Sequence, residues 1–265
     1  MGLGCLLKEP TIGVEYRLAS GWSFPTQLDE YEAVLSWAQS DEGNKFGIDH
    51  GSVLGGSDSA GGNMTAALSL RILDKHQKCG ASTVPKPLKA QILLYPEARL
   101  PFDTPAATEN SSGFYLECES VRLLTSDPSL SPFSLCSYQA TKQNKLLKNM
   151  VLGGNTGNGN FSFADHYLPR LPDNACPPAH RYISPGMQSV ENLQGLPPAA
   201  VFACGFDPLR DVGVEYASKL RKAGNEVVWK HYGNLTHESL QIAPWSEDAM
   251  KATKEVAHVV KKLTI

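Results

Sequence analysis

Short apolar runs alternate along the chain with longer stretches in which apolar residues recur every three or four positions. The short runs, Thr11 to Arg17, Ser52 to Gly56, Lys89 to Tyr95, Ala199 to Ala203 and Asn225 to Tyr232, predict strands, and runs this apolar suit a sheet covered on both faces. The longer stretches, Gln27 to Gln39, Ser59 to Asp74, Val214 to Ala223 and Ser246 to Leu263, predict helices. In the last of these Val256, Val259, Val260 and Leu263 fall at i, i+3, i+4 and i+7, with Lys and Glu on the opposite face. Strand and helix in alternation predict an α/β fold, a mostly parallel sheet flanked by helices. Residues 97–184 break the rhythm with many Pro, Ser, Asn and Gly residues. A structureless loop of that length is uncommon in a compact domain. The segment is therefore expected to carry helices of its own, as a cap inserted in a single domain spanning residues 1–265.

Composition narrows the function. With 24 basic and 27 acidic residues the net charge is −3, without the basic excess of a general nucleic-acid binder. A hydrophobic content of 42% excludes a wholly disordered chain. The longest nearly unbroken apolar run, Leu196 to Phe206, falls well short of the roughly 18 to 20 residues of a membrane-spanning helix. Residues 1–10 carry no small-residue cleavage site of the secretory kind, so the expectation is a cytoplasmic protein with no membrane span; the oligomeric state is not legible. Cys5, Cys79, Cys118, Cys136, Cys176 and Cys204 form no Cys-x-x-Cys pair and neighbour no histidine doublet, which predicts free thiols rather than a zinc site or a disulfide framework. The glycine-rich residues 153–159 lack a following Gly-Lys-Ser/Thr and read as a loop.

One turn carries candidate chemistry. The strand Ser52 to Gly56 runs into Ser57-Asp58-Ser59-Ala60-Gly61-Gly62-Asn63, and a helical pattern follows at once. A serine on a sharp strand-to-helix turn presents its hydroxyl above the sheet edge, where the helix amino terminus favours developing negative charge. Here the first glycine of the usual Gly-x-Ser-x-Gly is Ser57. A frame shifted by two would make Ser57 the nucleophile but lacks the final glycine, so Ser59 is preferred. Two further strands end at chemically useful residues, one before Asp207-Pro208-Leu209-Arg210-Asp211 and one before Gly233-Asn234-Leu235-Thr236-His237. The order Ser59, Asp207, His237 is that of hydrolases built on an α/β sheet. The chemistry needs these three types: an imidazole to take the serine proton, a carboxylate to hold the imidazole tautomer, and a hydroxyl to form an acyl-enzyme.

With these motifs the chain resembles the hormone-sensitive-lipase-like branch of the α/β-hydrolase esterases. The matching stretches are Tyr16-Arg17-Leu18-Ala19 with Phe24-Pro25, Phe46-Gly47-Ile48-Asp49, Asp58 to Asn63, Tyr95-Pro96, Ser184-Pro185, Leu196-Pro197-Pro198, Asp207 to Asp211, and His237. The resemblance implies an α/β-hydrolase fold, a small-molecule ester substrate, no cofactor and no metal. It makes Asp207 the acid that orients His237 and leaves Asp211 to fix its loop or pair with Arg210. His50, His180, His231 and His258 are assigned no role.

The chain departs from that family at its start. The family carries a His-Gly-Gly-Gly motif before the Tyr-Arg-Leu-Ala segment, and its backbone N–H groups form part of the oxyanion hole. No such motif is present, and only the N–H of Ala60 carries over. Loss of one such donor costs about 100- to 1000-fold in rate. Loss of the motif's strand would also open the middle of the sheet. Either the chain re-pairs across the gap or this is an incomplete version of a longer protein, and incompleteness is favoured because the other motifs show few signs of decay. The functional expectation is a carboxylic-ester hydrolase acting through an acyl-enzyme on Ser59. The alternative is a catalytically impaired or non-hydrolytic relative that binds a ligand or serves a biosynthetic step. A nicotinamide oxidoreductase is disfavoured, since Gly2-Leu3-Gly4 has neither a preceding strand nor a later glycine.

Overall fold

A computed structural model describes residues 6–19, 21–79, 84–100, 104–110, 116, 167–168, 176–177 and 179–264. Its elements run α1 (Thr26–Ala38), α2 (Asp41–Lys45), β1 (Gly55–Asp58), α3 (Ser59–Cys79), β2 (Gln91–Leu94), α4 (Pro105–Glu109), β3 (Ala199–Phe206), α5 (Arg210–Lys222), β4 (Val227–Thr236) and α6 (Glu247–Thr264). The four strands form one sheet in the order β1-β2-β3-β4, parallel at each pairing.

Both faces of the sheet are covered, and the alternation of side chains along each strand divides the core in two. Ile92 and Leu94 of β2 with Ala200, Phe202 and Cys204 of β3 pack against Ala249, Ala252, Val256, Val259 and Val260 of α6. The intervening Leu93, Ala199 and Val201 turn to the other face, against Ala66 and Leu70 of α3 and Tyr216, Ala217 and Leu220 of α5. Full burial of one such large aliphatic side chain stabilises by about 1.5–3 kcal/mol. The apolar stripe of α6 at i, i+3, i+4 is therefore what fixes that helix on the sheet. A third cluster, with Leu28 and Leu35 of α1 against Ala67, Leu68 and Ile72 of α3, holds α1 outside α3.

Two expectations are corrected. Residues 11–17 have no strand pairing. Their polar groups are met instead by α1, with Arg17 N–H donating to Glu30 at 2.9 Å and Gln27 Nε2 donating to Arg17 O at 2.8 Å. Ile12 and Leu18 stay exposed, so nothing rewards an extended ladder there. The outer edge of β1 accordingly carries no strand among the described residues. The second correction concerns boundaries: the nucleophile strand is Gly55–Asp58 rather than Ser52 to Gly56, and β4 continues to Thr236. Of the segment 97–184, α4 is a described helix, and Leu6 and Leu7 are helical at the amino end. Cys5, Cys118, Cys136, the glycine-rich residues 153–159 and most of the expected cap lie outside the described residues. Cys176 and Cys204 are free thiols.

Candidate active site

Ser59 follows Asp58 of β1 directly and opens the 21-residue α3, with no loop between strand and helix. So abrupt a reversal puts Ser59 at φ 49°, in the left-handed region, which costs a residue bearing a Cβ about 1–2 kcal/mol. The turn closes only because its neighbours are small. A Cβ on Gly61 would lie 2.6 Å from the Ser57 Cβ, and one on Gly62 would lie 3.1 Å from the Pro96 Cβ. Positions 57 and 61 thus face each other, and with a serine at 57 the space falls to Gly61 alone.

Asp207 and His237 are brought side by side by sheet register. Phe206 pairs with Thr236 after an irregularity at Cys204/Phe206, so the next residue of each strand emerges at the same rim. His237 Nδ1 donates to Asp207 Oδ2 at 3.0 Å, and His237 Nε2 accepts from Ser59 Oγ at 2.9 Å. A carboxylate can only accept, so its contact fixes the imidazole proton on Nδ1 and leaves Nε2 bare toward the serine. Asp207 is fully buried and His237 nearly so. The second oxygen, Asp207 Oδ1, accepts the Leu209 N–H at 2.8 Å. Tyr95 packs edge-on against the imidazole, ring centroids 4.8 Å apart.

The other candidates lie elsewhere. Ser57 Oγ donates to Asp58 Oδ1 at 3.2 Å. Asp211 accepts from Arg210 Nε and from Ala106 N–H, both at 2.8 Å, and so joins α5 to the start of α4. At the end of α4, the capping Asn110 donates from Nδ2 to Asp207 O at 3.3 Å and to Gly205 O at 3.4 Å. His231 and His258 are exposed, and His180 packs on Phe24 and Tyr182, where burial and Arg181 push its pKa down. Ala60, the second residue of α3, sits where helical N–H groups lack intrahelical acceptors. No cluster of three potential metal-ligating side chains occurs among the described residues, and no described helix is long and apolar enough to cross a membrane.

Two carboxyls near the site were not among the residues singled out from the sequence. Glu97 follows β2, and its N–H donates to Ser59 O at 3.3 Å while its carbonyl accepts from Asn63 Nδ2 at 2.7 Å. Burial raises its pKa to about 7, against a smaller lowering by His237. Glu238, at φ 60°, reaches to 4.0 Å from His237 Nε2, and burial, then the charge of Asp58, raise its pKa. The adjacency of Glu238 to His237 in sequence is a signal that could have found it; for Glu97 only proximity in the fold reveals it.

Comparison with known proteins bears on the family and the fold. A family model described as alpha/beta hydrolase fold matches residues 7–130 and 130–241. The carboxylic ester hydrolase LipN of Mycobacterium tuberculosis is 28% identical over 250 residues, covering 94% of this chain and 54% of its own length. Arylacetamide deacetylase of Oryctolagus cuniculus is 30% identical over 251 residues, covering 86% of this chain and 59% of its own length. Among solved structures EstE1, a thermostable carboxylesterase cloned from a metagenomic library, superposes with a TM-score of 0.68 at 25% identity, over 99% of this chain and 72% of its own. The chain thus spans between half and three-fifths of the length of these two curated relatives.

Proposed function

The chain belongs to the alpha/beta hydrolase fold family, and from that premise we propose that it is a serine hydrolase that cleaves a small-molecule carboxylic ester through an acyl-enzyme on Ser59. The observation that carries the proposal is the unbroken line from Asp207 through His237 to Ser59, with contacts of 3.0 and 2.9 Å. The esterase relatives support the same chemistry.

In this mechanism Ser59 Oγ attacks the ester carbonyl as His237 Nε2 takes its proton. Asp207 stabilises the imidazolium so formed without accepting its proton. The carbonyl oxygen becomes an oxyanion, for which the Ala60 N–H at the start of α3 is a donor, aided by the positive end of the helix. Collapse breaks the bond to the alkoxy group, which leaves with the proton from His237. Water, deprotonated by the same imidazole, then attacks the acyl-enzyme and releases the acid. Ser59, His237 and Asp207 form the catalytic triad on this reading, Ser59 on a nucleophile elbow, within one domain in which residues 97–184 are the cap.

The test is hydrolysis of p-nitrophenyl acetate with phosphonate labelling of the serine. Turnover together with labelling, both abolished in Ser59→Ala, supports the proposal. Labelling of Ser59 without turnover overturns it and favours a ligand-binding or non-hydrolytic role.

A further inference from the structure

The hydrogen bonds of the triad leave one freedom open at the imidazole. Contacts to Asp207 and Ser59 hold the ring at Nδ1 and Nε2, which fixes two points of its plane but not the tilt of that plane about the line between them. Tyr95 opposes the tilt. Its ring packs edge-on against the imidazole, with centroids 4.8 Å apart and planes at 60°, and the residue is only 2% exposed. It belongs to the core cluster that also takes in Leu235, Leu240 and Ala243, which flank His237 in the chain. Burial pushes the phenol pKa up, so the ring brings no charge to the imidazole and acts by contact.

The backbone at Tyr95 is an independent observation. Its φ of 34° lies in the left-handed region, which is unfavourable for a residue bearing a Cβ. It also directly precedes Pro96, a position that prefers extended backbone. Such strain persists only where the surroundings over-determine it. Here the Tyr95 N–H donates to Phe202 O at 2.7 Å. Pro96 is wedged between α3 and α5, its Cβ 3.1 Å from where a Cβ on Gly62 would lie and its Cδ 3.4 Å from where one on Gly213 would lie. Asp58 pairs with Leu94, so Tyr95 leaves the sheet level with Ser59. We propose that Tyr95 is a positioning residue for this reaction: its strained backbone aims the ring at His237, and the ring holds the imidazole in the plane that joins Asp207 to Ser59. The inference rests on the esterase reading above and deepens it by naming what keeps the base aligned.

Tyr95→Phe keeps the ring, and Tyr95→Leu fills much of its space without it. Turnover of p-nitrophenyl acetate is read as kcat and KM separately, and the proton NMR resonance of the His237 Nδ1–H, bonded to Asp207, reports on the imidazole without any substrate. A misplacement of about 1 Å can cost about 100-fold in rate, so Tyr95→Leu is expected to lower kcat by about 10- to 100-fold with KM within about threefold. Its Nδ1–H resonance is expected to broaden through faster exchange with water. Tyr95→Phe is expected to stay within about threefold of wild type in both constants and to keep the resonance sharp. A folded Tyr95→Leu protein with kcat within about threefold of wild type, a loss carried by KM instead, an unaltered resonance, or a Tyr95→Phe protein as impaired as Tyr95→Leu overturns the inference. If Tyr95→Leu does not fold, Tyr95→Met, whose flexible chain refills the space, takes its place under the same criteria. Failure of both to fold while Tyr95→Phe folds also overturns the inference, since the ring would then serve the core alone. If the wild type hydrolyses no ester, the esterase reading falls by itself and the resonance decides the positioning role: sharp in wild type and Tyr95→Phe but broadened in Tyr95→Leu supports it, and equal behaviour in all three overturns it.

Discussion

Asp207→Asn separates the two tasks of the buried acid, because its two oxygens have different partners. Oδ1 accepts the Leu209 N–H at 2.8 Å and Oδ2 faces His237 Nδ1 at 3.0 Å. An asparagine keeps the first contact by placing its amide oxygen on Leu209, which turns its NH2 toward His237. The opposite flip sets two donors against each other at Leu209 and costs about 1–3 kcal/mol, so the first orientation prevails. His237 must then accept at Nδ1 and carry its proton on Nε2, facing Ser59 as a donor, and the base is lost. In serine hydrolases with this constellation such an exchange lowers kcat about 10⁴-fold, equivalent to about 5.5 kcal/mol of barrier. The assay is p-nitrophenyl acetate turnover alongside the rate of phosphonate labelling of Ser59, with a thermal melt to establish that the variant folds. Asp211→Asn serves as the comparison, since among the described residues its carboxylate bonds to Arg210 and the start of α4 rather than to His237, and is expected to fall less than about tenfold. A folded Asp207→Asn protein within tenfold of wild type, or an Asp211→Asn protein as impaired, would refute the assignment of the orienting acid.

Three further outcomes are expected. Ser59→Gly relieves the left-handed backbone at φ 49° and should raise stability by about 1 kcal/mol in chemical denaturation, while Ser59→Ala leaves it unchanged; equal stabilities for the two variants would show that the turn stores no strain. Glu97 has a pKa of about 7 against an ordinary 4.5, so folding favours its protonated form, and its stabilising share is full below pH 4.5 and lost as pH rises toward 7. Relative to Glu97→Gln, the wild type should lose about 2–3 kcal/mol between pH 4.5 and 8, and a pH-independent difference in urea midpoints would contradict this. Gly205→Ala places a Cβ 2.1 Å from the Gly233 carbonyl oxygen where β3 and β4 cross closely, and should lower the melting stability by about 2 kcal/mol or more; a neutral result would mean the crossing can open.

The parallel sheet explains why the three chemical residues were legible. Each lies a few residues past an apolar run, and parallel strands all end at one edge, so the sequence needs no knowledge of distances to group Ser59, Asp207 and His237 there. Residues 11–17 failed for the complementary reason. Their composition suits a strand, but a strand exists only with a partner, and Glu30 and Gln27 of α1 satisfy that backbone from the side. The extent of β4 was missed because Gly233-Asn234 reads as a turn, whereas pairing with β3 resumes at Phe206 and Thr236 beyond the irregularity. Glu97 had no pattern to find, since its meaning comes from burial and from Ser59 and Asn63, more than thirty positions away.

The hydrogen bonds from α4 have a consequence for engineering. Asn110 holds the carbonyls of Gly205 and Asp207, Asp211 holds the Ala106 N–H, and Arg210 pairs with Glu109 at 2.8 Å. The first residues of the 97–184 segment are therefore bolted to the loop that aims the imidazole. A chimera that exchanges this segment to alter substrate range should place its upstream junction after Asn110; a graft beginning at Pro105 would import a foreign anchor and misalign the proton acceptor, however well the new segment itself folds.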